Sequence, residues 1–172
     1  MSNRAPFDSL LLSFIICMFS LASGLAEAAE GESEPRIPVA TDFSADGATA
    51  KAQSAPILLL VSQHYCSFCK QIKRDILHPM IKAGDYQGQL LMRELFIDQQ
   101  PKVIDFHGKP QRSASISRSY GVNLTPTLLF LGPEGEELSR RIVGYYTPEM
   151  FFYYVDEAIK EAIEKLSHPQ PE

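Results

Sequence analysis

The chain has 172 residues, of which 45% are hydrophobic and 22% charged, with 16 basic against 21 acidic side chains and a formal net charge of −5. That is about one domain's length, with enough apolar content to bury a core without staples. A mildly acidic chain with no basic cluster, its Arg140-Arg141 pair read as solvated strand ends, argues against nucleic acid and anionic membrane surfaces as partners.

The first stretch reads as a secretory leader. Arg4 gives a thin positive region weakened by Asp8, Leu10 to Leu21 is mostly apolar, and Ala26-Glu27-Ala28 fits the small-x-small cleavage rule. Residues 1–28 are therefore expected to be a signal peptide, with an uncleaved anchor as the alternative. The apolar core is short against the roughly 20 residues that a spanning helix takes. Cys17 lies in this leader, which leaves Cys66 and Cys69 as the cysteines of the exported chain. Residues 29–41, rich in Glu, Gly and Pro, have the composition of a flexible linker. The folded domain is expected over 42–168.

Within it, Asp42 to Gln53 predicts a first helix with Thr41 or Asp42 as N-cap, although Gly47 weakens it. Ile57 to Val61 is a continuous apolar run, as in a strand buried on both faces. Ile72, Ile76, Leu77, Met80 and Ile81 recur at helical spacing, with His78-Pro79 expected to kink or shorten the helix. Leu90 to Asp98 is a second strand, and Val103 to Pro110 a small edge strand and turn of an insertion. Ser113 to Tyr120 is a short helix ended by Gly121. Thr127 to Leu131 is a third strand, and Gly132-Pro133-Glu134-Gly135 a hairpin turn. Glu137 to Val143 should return antiparallel, with Leu138, Ile142 and Val143 available to the core. After Thr147-Pro148, one apolar stripe runs from Met150 to Leu166 on a terminal helix. The order predicts an α/β fold, a mixed sheet with helices on both faces.

The chemistry concentrates where the first strand feeds Cys66-Ser67-Phe68-Cys69 at the start of a helix. Unpaired N–H groups and partial positive charge at a helix N-terminus favour thiolate over thiol, lowering a cysteine from about 8.5 into the range of about 3.5–7.5. Cys66 is the expected nucleophile, and Cys69, one turn on, the resolver of a mixed disulfide. Two blander readings stay open. One is a purely structural disulfide. The other is half of a metal site, with His64 and His78 completing a zinc site or the two thiolates alone taking Cu(I).

Together, strand–Cys66-x-x-Cys69–helix, Ile97-Asp98-Gln99, Tyr120-Gly121-Val122, Thr125-Pro126-Thr127, the 132–135 turn and Gly144 resemble the thioredoxin superfamily. The likeness extends over about Asp42 to Leu166. Within it the chain looks most like exported bacterial thioredoxins of the SoxW type, associated with periplasmic sulfur oxidation, which similarly carry the Asp105-Phe106-x-Gly108-Lys109 insertion. The resemblance implies a thioredoxin-like fold and a thiol–disulfide oxidoreductase without a cofactor. It also implies that Pro126 is a cis-proline facing the cysteines, with Thr125 offering its backbone to a substrate strand and Gly144 on the same rim. Tyr65, where thioredoxins carry Trp, joins the substrate-binding residues. Ser67-Phe68 replaces Gly-Pro between the cysteines. Leu60 stands where thioredoxin has a buried acid, so the resolving thiol must use water or another base. Glu94 is a candidate, against the plainer reading of a solvated strand carboxylate. The expectation is a periplasmic, monomeric enzyme that reduces protein disulfides and is re-reduced by a membrane electron-donor protein. The alternatives are a dithiol oxidase or isomerase, and a metal-binding or partner-binding module.

Overall fold

The computed structural model describes residues 35–99 and 102–168. The leader expected over 1–28, and the linker as far as residue 34, lie outside them.

Helix α1 (Phe43–Gln53) starts at Asp42, whose carboxylate accepts the Ala45 N–H at 2.9 Å. Gly47 belongs in this helix for a tertiary reason, since a Cβ there would lie 2.2 Å from the Pro133 carbonyl oxygen. Strand β1 (Ile57–Ser62) is buried along its whole length, as its unbroken apolar run predicts. It pairs in parallel with β2 (Leu91–Phe96) and antiparallel with β5 (Thr127–Leu131), and β5 pairs antiparallel with β6 (Ile142–Val143). The sheet order is β2-β1-β5-β6. A separate hairpin, β3 (Lys102–Ile104) with β4 (Pro110–Arg112), is the expected insertion. Helix α4 (Ser113–Ser119) leads from it towards β5.

The cysteines open α2 (Ser67–Ile72), which runs through a π-helical turn (Lys73–Leu77) into α3 (His78–Ala83). Pro79 has no N–H to give the preceding turn. That turn widens instead of breaking, and the His78 N–H reaches back five residues to the Lys73 carbonyl. The terminal helix, α5 (Pro148–Ser167), turns Phe151, Val155, Ala158, Ile159 and Ala162 inward, whereas Met150 stays exposed.

Strand alternation sorts the core into two layers. Leu58, Leu60, Leu128, Phe130 and Ile142 pack with Ile72, Ile76, Leu77 and Met80 and with α5. On the other face Ile57, Leu59, Val61, Leu129 and Leu131 pack with Phe43 and Ala50 of α1 and Ile116 of α4. Each large apolar side chain so buried contributes about 1.5–3 kcal/mol. The result is the expected mixed sheet with helices on both faces.

Three expectations are corrected. The linker expected over 29–41 is part of the fold at its C-terminal end. Ala40 N–H donates to the Glu94 carbonyl at 2.8 Å, Glu94 N–H to the Pro38 carbonyl at 2.9 Å, and Ile37 and Ala40 are buried. Pro35 and Pro38 disguise this segment in the sequence. Proline is nonetheless tolerated on a strand's outer edge, where no ladder donor is needed. The return strand expected over 137–143 is interrupted. Glu137 bridges Leu131, the Ser139 hydroxyl then turns aside to the Ala158 carbonyl at 2.8 Å, and Val143 is 43% exposed, outside the core. Arg141 is no free strand end, because it binds the Glu137 carboxylate and the Tyr120 carbonyl.

Candidate functional site

Cys66 and Cys69 form a disulfide with an S–S length of 2.04 Å and a Cα–Cα distance of 5.2 Å. Strand β1 ends at Ser62, and the loop Gln63-His64-Tyr65 delivers Cys66 to the N-cap of α2 in extended conformation. Its Sγ accepts the Cys69 N–H at 3.0 Å. One donor at the start of the helix thus already points at the sulfur that would carry negative charge after reduction. The two sulfurs differ in access: Cys66 is partly exposed, and Cys69 is 1% exposed. An incoming group can reach only the first.

The antiparallel pairing of β1 with β5 sets Thr127 opposite Val61 and so carries the preceding loop to the cysteines. The Thr125–Pro126 peptide is cis, as the resemblance implied. Pro126 is buried, and its carbonyl accepts the Gly144 N–H at 2.8 Å, which fixes Gly144 next to it. Thr125 Oγ1 donates to Gln63 Oε1 at 2.9 Å. A groove of about 380 Å³ is lined by Gln63, Tyr65, Cys66, Phe68, Leu124 and Thr125 among others. Tyr65 is 98% exposed, and Phe68 and Leu124 are each more than half exposed, so an apolar rim surrounds the accessible sulfur. The structure therefore brings Tyr65, Cys66 and Thr125 together on one groove, with Cys69 and Pro126 buried beside it.

Two neighbours of the cysteines are engaged in ways their sequence positions do not show. His64, weighed there as a zinc ligand, is engaged by Asp98: its backbone N–H donates to Oδ2 at 2.8 Å, and Nδ1 lies 2.9 Å from Oδ1. Its ring stacks on Phe96 with centroids 4.0 Å apart. Burial alone would raise the Asp98 carboxyl, but the hydrogen bonds from His64 outweigh it and hold the carboxyl below its ordinary value. Nothing in the spacing of residues 64 and 98 signals this clasp, which arises from the parallel pairing of β1 with β2. Glu94 is not a solvated strand carboxylate, since it is 4% exposed, accepts from the Ser62 hydroxyl at 2.6 Å and pairs with Lys73 Nζ at 2.8 Å.

Residues 43–159 match the family model described as a thioredoxin-like domain. No curated protein matches the chain. Among solved structures, the chain is similar to oxidised mitochondrial thioredoxin 3 from Saccharomyces cerevisiae, with 18% identity and a TM-score of 0.49, over 73% of this chain and 94% of that one. It is also similar to a poplar thioredoxin h, at 20% identity and a TM-score of 0.47 over 67% and 86% of the two chains. Oxidised thioredoxin O2 from Arabidopsis thaliana shows 14% identity and a TM-score of 0.48 over 71% and 93%.

Proposed function

The chain belongs to the thioredoxin-like domain family, and on that footing we propose that this thiol–disulfide oxidoreductase is exported and reduces disulfides of other proteins in the periplasm. The observation that carries the reading is the unequal access of a bonded cysteine pair: Cys66 is reachable in an apolar-rimmed groove and Cys69 is shut in behind it. In the reduced enzyme the Cys66 thiolate attacks a substrate disulfide, a mixed disulfide forms, and Cys69 displaces the substrate thiol to leave the Cys66–Cys69 bond. Tyr65, Phe68 and Leu124 suit an apolar stretch of polypeptide beside the target cystine, and the loop holding Thr125 and cis-Pro126 gives that stretch an edge to lie along.

Export is supported by the leader-like residues 1–28 and by the placing of both remaining cysteines in one motif. The likeness to SoxW-type thioredoxins is supported by Asp105-Phe106-x-Gly108-Lys109, which joins β3 to β4. A reductant working outside the cytoplasm needs electrons delivered to it, hence a membrane electron-donor protein as partner, with the enzyme acting as a monomer. The test compares two assays on the purified chain: reduction of insulin disulfides with a supplied dithiol, and oxidation of a reduced dithiol peptide. Faster insulin reduction supports the reading, and faster peptide oxidation assigns the opposite direction.

A further inference from the structure

Cys69 is 1% exposed in the disulfide, so the proton its thiol gains or gives up passes either through a water reaching the sulfur or to a group inside the protein. Glu94 is the most deeply buried carboxylate among the described residues. It is the register partner of Leu60 across the β1–β2 pair, on the face that packs against the helix carrying Cys69. Two contacts fasten it to the segments on either side of the disulfide. Ser62, where β1 ends four residues before Cys66, donates to it at 2.6 Å. Lys73, one helical turn beyond Cys69, reaches it at 2.8 Å. Burying a carboxylate and an ammonium is costly, and apolar packing such as that of Leu60 beside it would hold helix to sheet without that cost.

We propose, resting on the oxidoreductase reading above, that Glu94 is the proton acceptor for Cys69, positioned by Ser62 and Lys73. In the resolving step the Glu94 carboxylate takes the Cys69 thiol proton and the thiolate attacks Cys66 Sγ of the mixed disulfide. The bond from Cys66 to the substrate sulfur breaks, its electron pair leaves on that sulfur, and the sulfur takes a proton from solvent. Glu94 then returns its proton to solvent. Overall, two electrons pass from the cysteine pair to the substrate disulfide. Lys73 offsets the single negative charge, which sits on the carboxylate before the transfer and passes to the thiolate with it. The other charged groups on or against β2 are engaged elsewhere: Arg93 pairs with Asp46, and His64, stacked on Phe96, pairs with Asp98.

The test follows both half-reactions of the reduced full chain with glutathione disulfide between pH 5 and 9, by acid quench and mass spectrometry. Glu94→Gln is expected to leave formation of the Cys66 mixed disulfide within about twofold of wild type. Its resolution should slow by at least about tenfold near neutrality and recover towards alkaline pH as hydroxide replaces the base, while Glu94→Asp retains most of the rate. An unchanged resolution rate and pH profile in Glu94→Gln overturns the proposal and leaves a structural tie. If wild type neither forms a mixed disulfide nor becomes oxidised to the Cys66–Cys69 bond, the oxidoreductase reading fails instead. Should Glu94→Gln not fold, carbon NMR of reduced wild type decides. Coupled titration of the Glu94 carboxyl and Cys69 Cβ supports the proposal, and independent titration overturns it.

Discussion

Thr125 Oγ1 and Gln63 Oε1 meet at 2.9 Å, joining the loop that presents Cys66 to the loop that holds cis-Pro126. Both residues line the groove, so this bond sets the width at which a substrate strand meets the reactive sulfur. An exposed side-chain hydrogen bond contributes about 0.5–1 kcal/mol net. Thr125→Val should therefore raise KM for a protein disulfide by about two- to fivefold, leave kcat nearly unchanged and lower the Tm by only about 1–4 °C. Steady-state insulin reduction checks it.

The difference in access between the two sulfurs predicts different phenotypes for the two cysteine variants. Cys66→Ser should abolish exchange, because Cys69 is too buried for a substrate to reach. Cys69→Ser should still attack, and it should accumulate a mixed disulfide that nothing inside the chain resolves. Non-reducing gel electrophoresis under mild oxidation separates the two, and equal behaviour of both variants would contradict the assigned roles.

Gly47 places α1 against the 132–135 turn, where a Cβ would meet the Pro133 carbonyl oxygen at 2.2 Å. Neither backbone can yield cheaply. Gly47→Ala, helix-favouring on an exposed surface, should here destabilise by about 1–3 kcal/mol. Thermal unfolding measures this, and the thiol chemistry of the folded fraction should stay intact.

Asp98, held below its ordinary pKa by His64, contributes stability that is present above the unfolded value of about 3.9 and lost as pH falls through the lower folded value. Asp98→Asn should therefore be less stable than wild type near neutrality. The gap should begin to narrow as pH falls below about 4 and close once pH is below the lower folded value, where wild type has lost the same contribution. Denaturant midpoints across that range test the sign.

Much of this architecture is legible in the sequence because its signals are local. Ile57 to Val61 suits a doubly buried strand, and Cys66-x-x-Cys69 precedes a stretch with helical spacing. Thr125-Pro126-Thr127 directly precedes a strand that cannot use the proline as a donor. What escaped depends on partners distant in the chain. Residues 37–41 read as linker because Pro35 and Pro38 dominate their composition, and only the free edge of β2 makes them a strand-like border. Glu94 can be named a candidate base from the sequence, but its burial follows only once β1 supplies Ser62 and the helix supplies Lys73. The clasp of His64 by Asp98 and the need for Gly47 likewise follow from register and close approach, which no single stretch of sequence encodes.

The reducing role is tested most directly by the equilibrium reduction potential of the Cys66–Cys69 pair in glutathione or dithiothreitol buffers. A reductant that needs an electron supply should sit near about −270 mV. A value near about −120 mV, as for a strong periplasmic oxidant, would contradict it and make the protein a donor of disulfides.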